Sequence, residues 1–97
     1  MWVRLEKYVA NYTRTISRKK IEKSYGYTIV IYRIFRKKRY VRFLPGWLEA
    51  LNNDEQVKVQ LTSSICEATH FRDSSKECNK ALAETIIYYM RKEPHRF

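Results

Sequence analysis

Hydrophobic and polar positions along the first 44 residues follow the spacing of strands. The segment Tyr27-Thr28-Ile29-Val30-Ile31-Tyr32-Arg33-Ile34-Phe35 is dense in β-branched and aromatic residues and follows the turn-capable Ser24-Tyr25-Gly26. Tyr40-Val41-Arg42-Phe43-Leu44 is a second such run, ended by Pro45-Gly46. The four residues between them, Arg36-Lys37-Lys38-Arg39, predict an antiparallel hairpin with a cationic tip. In that register Phe35 pairs with Tyr40, Ile34 with Val41, Arg33 with Arg42 and Tyr32 with Phe43. One face then carries Val30, Tyr32, Ile34, Val41 and Phe43 and reads as core. The other carries Tyr27, Ile29, Ile31, Arg33, Phe35, Tyr40, Arg42 and Leu44, and a slip of one residue exchanges the two.

Upstream, Tyr12-Thr13-Arg14-Thr15-Ile16-Ser17 reads as a further strand, joined to the hairpin by the basic connector Arg18-Lys19-Lys20-Ile21-Glu22-Lys23. In the first ten residues Val3, Leu5 and Val9 fit a strand nearly as well as Trp2, Leu5 and Val9 fit a helical stripe; a strand or extended arm is expected. Downstream, Trp47 to Leu51 predicts a short helical turn closing at Asn52-Asn53-Asp54, and Val57, Val59 and Leu61 alternate with polar residues as a strand. Ile65 to Phe71 offers a last short strand. The period then changes to three and four: Cys78, Ala81, Leu82, Thr85, Ile86, Tyr89 and Met90 make one apolar stripe. Ser74-Ser75-Lys76-Glu77 fits a capping box at its start, Arg91 and Lys92 complement the dipole at its end, and Pro94 stops it. The expected fold is α+β, an antiparallel sheet of three to five strands with a C-terminal amphipathic helix, about 74–92, on one face. At 97 residues the chain is read as a single domain, 1–97.

Charge divides that domain. Residues 1–44 hold thirteen Lys or Arg against Glu6 and Glu22, a net +11, whereas 45–97 hold seven basic and eight acidic residues, a net −1. A folded basic half points to a polyanion, most commonly nucleic acid, DNA or RNA. The residues expected to meet it are Arg14, Arg18, Lys19, Lys20 and Lys23 around the first connector, and Arg33, Arg36, Lys37, Lys38, Arg39, Tyr40 and Arg42 around the second. Arg33 opposite Arg42 has two readings: a phosphate between them, or both guanidiniums splayed into water. Exposed Tyr27, Phe35 and Tyr40 would stack unpaired bases, while burial of those rings would favour duplex backbone binding.

Catalytic constellations are missing. There is no Gly-rich phosphate loop, no H-E-x-x-H and no G-x-S-x-G, and of the two histidines His95 lies in a tail expected to fray. His70, beside Phe71, reads as a hydrogen-bonded structural residue. Asp54 and Glu55 before Lys58 faintly resemble a metal-dependent nuclease site, but solvated turn residues account for them more simply. Cys66, His70 and Cys78 match no paired-ligand zinc spacing, and both cysteines are expected reduced. No enzyme activity, cofactor or metal is expected. No apolar run reaches the length of a membrane span, and an intracellular protein without membrane partners is expected, a basic amphipathic helix for surface binding also being absent from the pattern.

The order of a basic hairpin over Tyr27 to Leu44, a short strand near Ala68-Thr69-His70-Phe71, and a helix opened by Asp73-Ser74-Ser75-Lys76-Glu77-Cys78 resembles three-stranded-sheet-plus-helix DNA-binding modules. These include the arm-binding domains of phage integrases and plant AP2-type domains. The resemblance lies in element order over about half the chain, and Gly46 to Ile65 interrupts it. It implies that Arg33, Arg42 and Arg36 to Arg39 face DNA. A different class also fits the size and composition: a mobile-element-encoded inhibitor that docks its basic surface on an acidic patch of a host protein or on that protein's nucleic-acid complex. An unpaired edge strand would further permit a homodimer.

Overall fold

β1 (Trp2–Thr15) and β2 (Lys20–Tyr32) form one long antiparallel ladder running from Trp2↔Tyr32 to Thr15↔Lys20, with a bulge between Val9 and Asn11. The computed structural model describes residues 2–15, 20–73 and 75–97, with the backbone alone described at 10–15 and 20–24. β3 (Arg39–Phe43), β4 (Val59–Thr62) and β5 (Phe71–Arg72) complete an antiparallel sheet, and α2 (Lys80–Lys92) packs on one face. The fold is therefore the expected α+β class. Residues 2–10 are part of a strand, continuous with Tyr12 to Thr15, rather than a separate arm. Lys20 and Lys23 belong to β2 rather than to a connector.

The register of β2 against β3 differs from the expected one. Val30 pairs with Tyr40 and Ile31 with Arg39, an offset of five residues from the predicted Phe35↔Tyr40. An odd offset exchanges the faces. Tyr27, Ile29 and Ile31 therefore join Val41 and Phe43 in the core under Ala83, Ile86, Ile87 and Met90 of α2, while Ile34 and Phe35 are left outside. Keeping three large side chains from water at about 1.5–3 kcal/mol each favours this register over one that buries Ile34 and exposes them. No Arg33–Arg42 pair forms.

Only two β2–β3 pairs exist because the strands part beyond them. The segment entering β5 fills the gap: Phe71 and Arg72 pair with Tyr27 and Gly26 of β2, while Thr69 N–H donates to the Val41 carbonyl at 3.1 Å and Phe43 N–H donates to Thr69 Oγ1 at 2.7 Å. Phe71 is wholly buried there, edge-on to both Phe43 and Trp47, which stack at 4.9 Å. Trp47 begins the short α1 (Trp47–Asn52), entered through Gly46 at φ 89°, a left-handed conformation glycine adopts without strain.

α2 starts six residues later than predicted. Its N-cap is Asn79, whose side chain accepts from Leu82 N–H at 3.0 Å, whereas Ser75 Oγ accepts from Cys78 N–H in the preceding turn; Ser74 lies outside the described residues. The C-terminal segment is pinned rather than frayed. Val57 N–H donates to the Arg96 carbonyl at 2.7 Å, and the buried Arg96 guanidinium reaches the Leu51 and Glu55 carbonyls and Glu93 at 3.2–3.4 Å. His95 itself is exposed. Replacing Arg96 by Ala strips those carbonyls of their donor, and we expect a loss of about 2–4 kcal/mol in urea unfolding.

Candidate nucleic-acid interface

The face turned away from α2 is assembled by the β1–β2–β3–β4 registers. Cross-strand partners share a face, so Trp2 and Tyr32 form one row and Arg4, Val30, Tyr40 and Thr62 the next, followed by Glu6 with Thr28, while Arg42 lies beside Gln60. Trp2 is 57 % exposed and Arg4 and Arg42 are exposed, whereas Tyr32 and Tyr40 are half-buried. The rings and cations interleave. Arg4 lies over the Tyr32 ring at 5.7 Å and Lys38 over Tyr40 at 5.5 Å. At the far end of this face Tyr8 bonds His70 Nδ1 through its hydroxyl and lies so close over Gly26 that a Cβ there would occupy its ring. His70 is thus held by a tyrosine beside the strand gap.

Glu6 anchors this surface. Its carboxylate accepts from the Tyr32 hydroxyl and from Lys38 Nζ at 3.0 Å. The Tyr32 hydrogen bond, aided by Lys38 and opposed by partial burial, holds the Glu6 carboxyl below its ordinary value, and the same bonds raise the Tyr32 phenol and the Lys38 ammonium.

The remaining loop cations turn to the other side. Arg33, Arg36, Lys37 and Arg39 line one opening of about 280 Å³ floored by Ile31 and Leu61, at the rim of the core face. Among the described residues no carboxylate lies within 4.0 Å of any of the four. The expected second tip therefore divides: Lys38, Tyr40 and Arg42 lie on the open face, and the other four form a separate basic cradle. Arg33 and Arg42 do not share a surface.

Around the first connector, the ladder continues to Thr15↔Lys20 past the points where β3 and β5 pair with β2, so Arg14, Lys20 and Lys23 fall on a two-stranded extension of the sheet. Arg18 and Lys19 lie outside the described residues. Of the three rings that would stack bases if exposed, Tyr27 is buried, Tyr40 is half-buried and Phe35 is fully exposed. Trp2 and Arg4 were missed by sequence reasoning. Their signal was the alternation Trp2, Arg4, Glu6, Tyr8, legible only once the segment is known to be a strand.

Elsewhere, Asp54 is exposed and faces Arg96 at 3.8 Å, and Cys66 and Cys78 are free thiols, the former exposed. Among the described residues no three His, Cys, Asp or Glu side chains converge as metal ligands would, and no helix is long and apolar enough to cross a membrane. Compared with known proteins, the chain matches no family model, no curated protein and no solved structure.

The lowered Glu6 pKa sets a pH dependence. A carboxyl that binds its proton more weakly when folded contributes its stabilisation in full above its ordinary value of 4.5 and loses it as pH falls through the lowered folded value. Glu6→Gln should therefore flatten this part of the acid response: wild type melts higher at neutral pH, and the two proteins converge as pH falls through the lowered folded value, as thermal melts from neutral into acid will show.

Proposed function

We propose that this chain is a small intracellular nucleic-acid-binding protein that acts by binding, without a catalytic step of its own. The observation that carries the reading is the cradle of Arg33, Arg36, Lys37 and Arg39, four cations around one opening with no carboxylate among the described residues to neutralise them. Like charges gathered in this way repel, and phosphates relieve the repulsion while releasing their own counterions. Arginine contributes twice, by charge and by a planar fork that matches phosphate oxygens.

The open face favours a nucleic acid over an acidic protein patch. Trp2, Tyr32 and Tyr40 alternate there with Arg4, Lys38 and Arg42, a pairing of flat rings and cations that suits bases and phosphates along a strand. The two-stranded extension bearing Arg14, Lys20 and Lys23 adds a basic ribbon of the kind a groove accommodates. Affinity gained in this way is largely independent of sequence and strongly dependent on salt.

Binding to a mixed-sequence oligonucleotide should give a line of negative slope in log affinity against log salt. Replacing Arg33, Arg36, Lys37 and Arg39 together by Ser should reduce the magnitude of that slope by about 3 on single strands while the melting temperature stays within a few degrees. An unchanged slope would remove the cradle from the interface. Retention of a protein partner after nuclease treatment, with no oligonucleotide binding at low salt, would replace this reading by the acidic-protein one.

A further inference from the structure

Phe35 costs the fold stability in two ways. Its side chain is wholly exposed, at 103 % of the reference accessibility, with Ile34 beside it at 64 %, so neither contributes the burial that usually holds an apolar residue in place. Its backbone takes φ 59° in a turn closed by Arg36 N–H donating to the Arg33 carbonyl at 3.2 Å. That left-handed conformation at the third position of a turn is where glycine is usual, because a Cβ crowds the adjoining backbone. A strained, solvent-facing phenylalanine therefore stands between two of the cradle arginines.

We infer that Phe35 is a base-stacking residue: the tip of the β2–β3 loop presents its ring to an unpaired base of a single-stranded nucleic acid while Arg33, Arg36, Lys37 and Arg39 hold the flanking phosphates. The inference rests on the phosphate-binding role proposed above and adds an unpaired base as the recognised element. Every base offers a π-face, so such a contact tolerates any sequence and selects for single strands. An anionic lipid surface also takes exposed apolar side chains beside cations. The surface behind the tip favours the strand. Trp2 lies at this same end of the sheet, opposite Tyr32, and the rings there are interleaved with the cations Arg4, Lys38 and Arg42, as bases alternate with phosphates and as a hydrocarbon layer does not.

The test uses the full chain and a short mixed-sequence single strand carrying one 2-aminopurine. Phe35→Gly should weaken binding by about five-fold or more, the equivalent of one lost stacking contact, and abolish the quenching of 2-aminopurine fluorescence. The salt slope should be unchanged, since the phosphate contacts remain. Glycine also relieves the turn, so the melting temperature should be equal to or above that of wild type, which separates loss of a contact from loss of fold. Phe35→Trp should keep both affinity and quenching. Equal affinity of Phe35→Gly and wild type, with the salt slope intact, overturns the stacking role and leaves phosphate binding standing. Failure of wild type to bind any strand at low salt overturns both. An equal loss on the fully paired duplex overturns the unpaired-base assignment. Loss of co-sedimentation with phosphatidylserine vesicles, with oligonucleotide binding unchanged, overturns it in favour of a lipid surface.

Discussion

Burial of Tyr27, Ile29 and Ile31 beneath α2 is the constraint on which the rest of the structure depends. With these three facing the helix, β2 must meet β3 in a register of one parity, and the register formed places Val30 beside Tyr40. That register leaves Arg33 to Lys38 outside the ladder. Thr69 to Arg72 then occupy the gap between the parting strands, and Phe71 seals it against Phe43 and Trp47. A loop rich in cations and carrying two exposed apolar residues is thus a consequence of how the core is filled.

The electrostatics follow from the same geometry. Glu6 reaches Lys38 and Tyr32 because β1 and β2 pair along their whole length, and it tethers the loop to the open face through one of its cations. Arg33, Arg36 and Lys37 of the loop, with Arg39 of β3, line the opening at Ile31 and Leu61, where no carboxylate lies within 4.0 Å of them among the described residues. Their mutual repulsion is moderate in water and grows when an opening is desolvated. Elsewhere, Glu93 and Asp54 face Arg96, and Glu84 lies opposite Lys80.

Much of the fold was legible in the pattern of residues. The strands at Tyr27, Tyr40 and Val57, the short turn at Trp47 and the C-terminal helix all correspond to elements near those positions, because β-branched runs and a three- to four-residue stripe are local signals. The helix start was misplaced because Ser74 to Glu77 satisfies the capping pattern in sequence, whereas the cap that forms is Asn79, whose side chain accepts from Leu82 N–H. The hairpin register failed for a comparable reason. Both faces of β2 are apolar enough to be core, and Thr28 and Val30 are in fact buried on the side away from the helix. Arg4 and Trp2 went unnoticed because a ten-residue segment with Val3, Leu5 and Val9 suits either period.

What the sequence alone determined about this protein is its class and the sign of its surface: an α+β chain whose first 44 residues carry a net +11 and whose helix closes one face. Which cations stand together, and on which side, was decided only in three dimensions. Strand alternation is strict, so an odd change of register carries every side chain to the opposite face, and the register is set by residues distant in sequence that compete for the same core. The charge is written into the chain; its division into an open face and a cradle comes from the burial of Tyr27, Ile29 and Ile31.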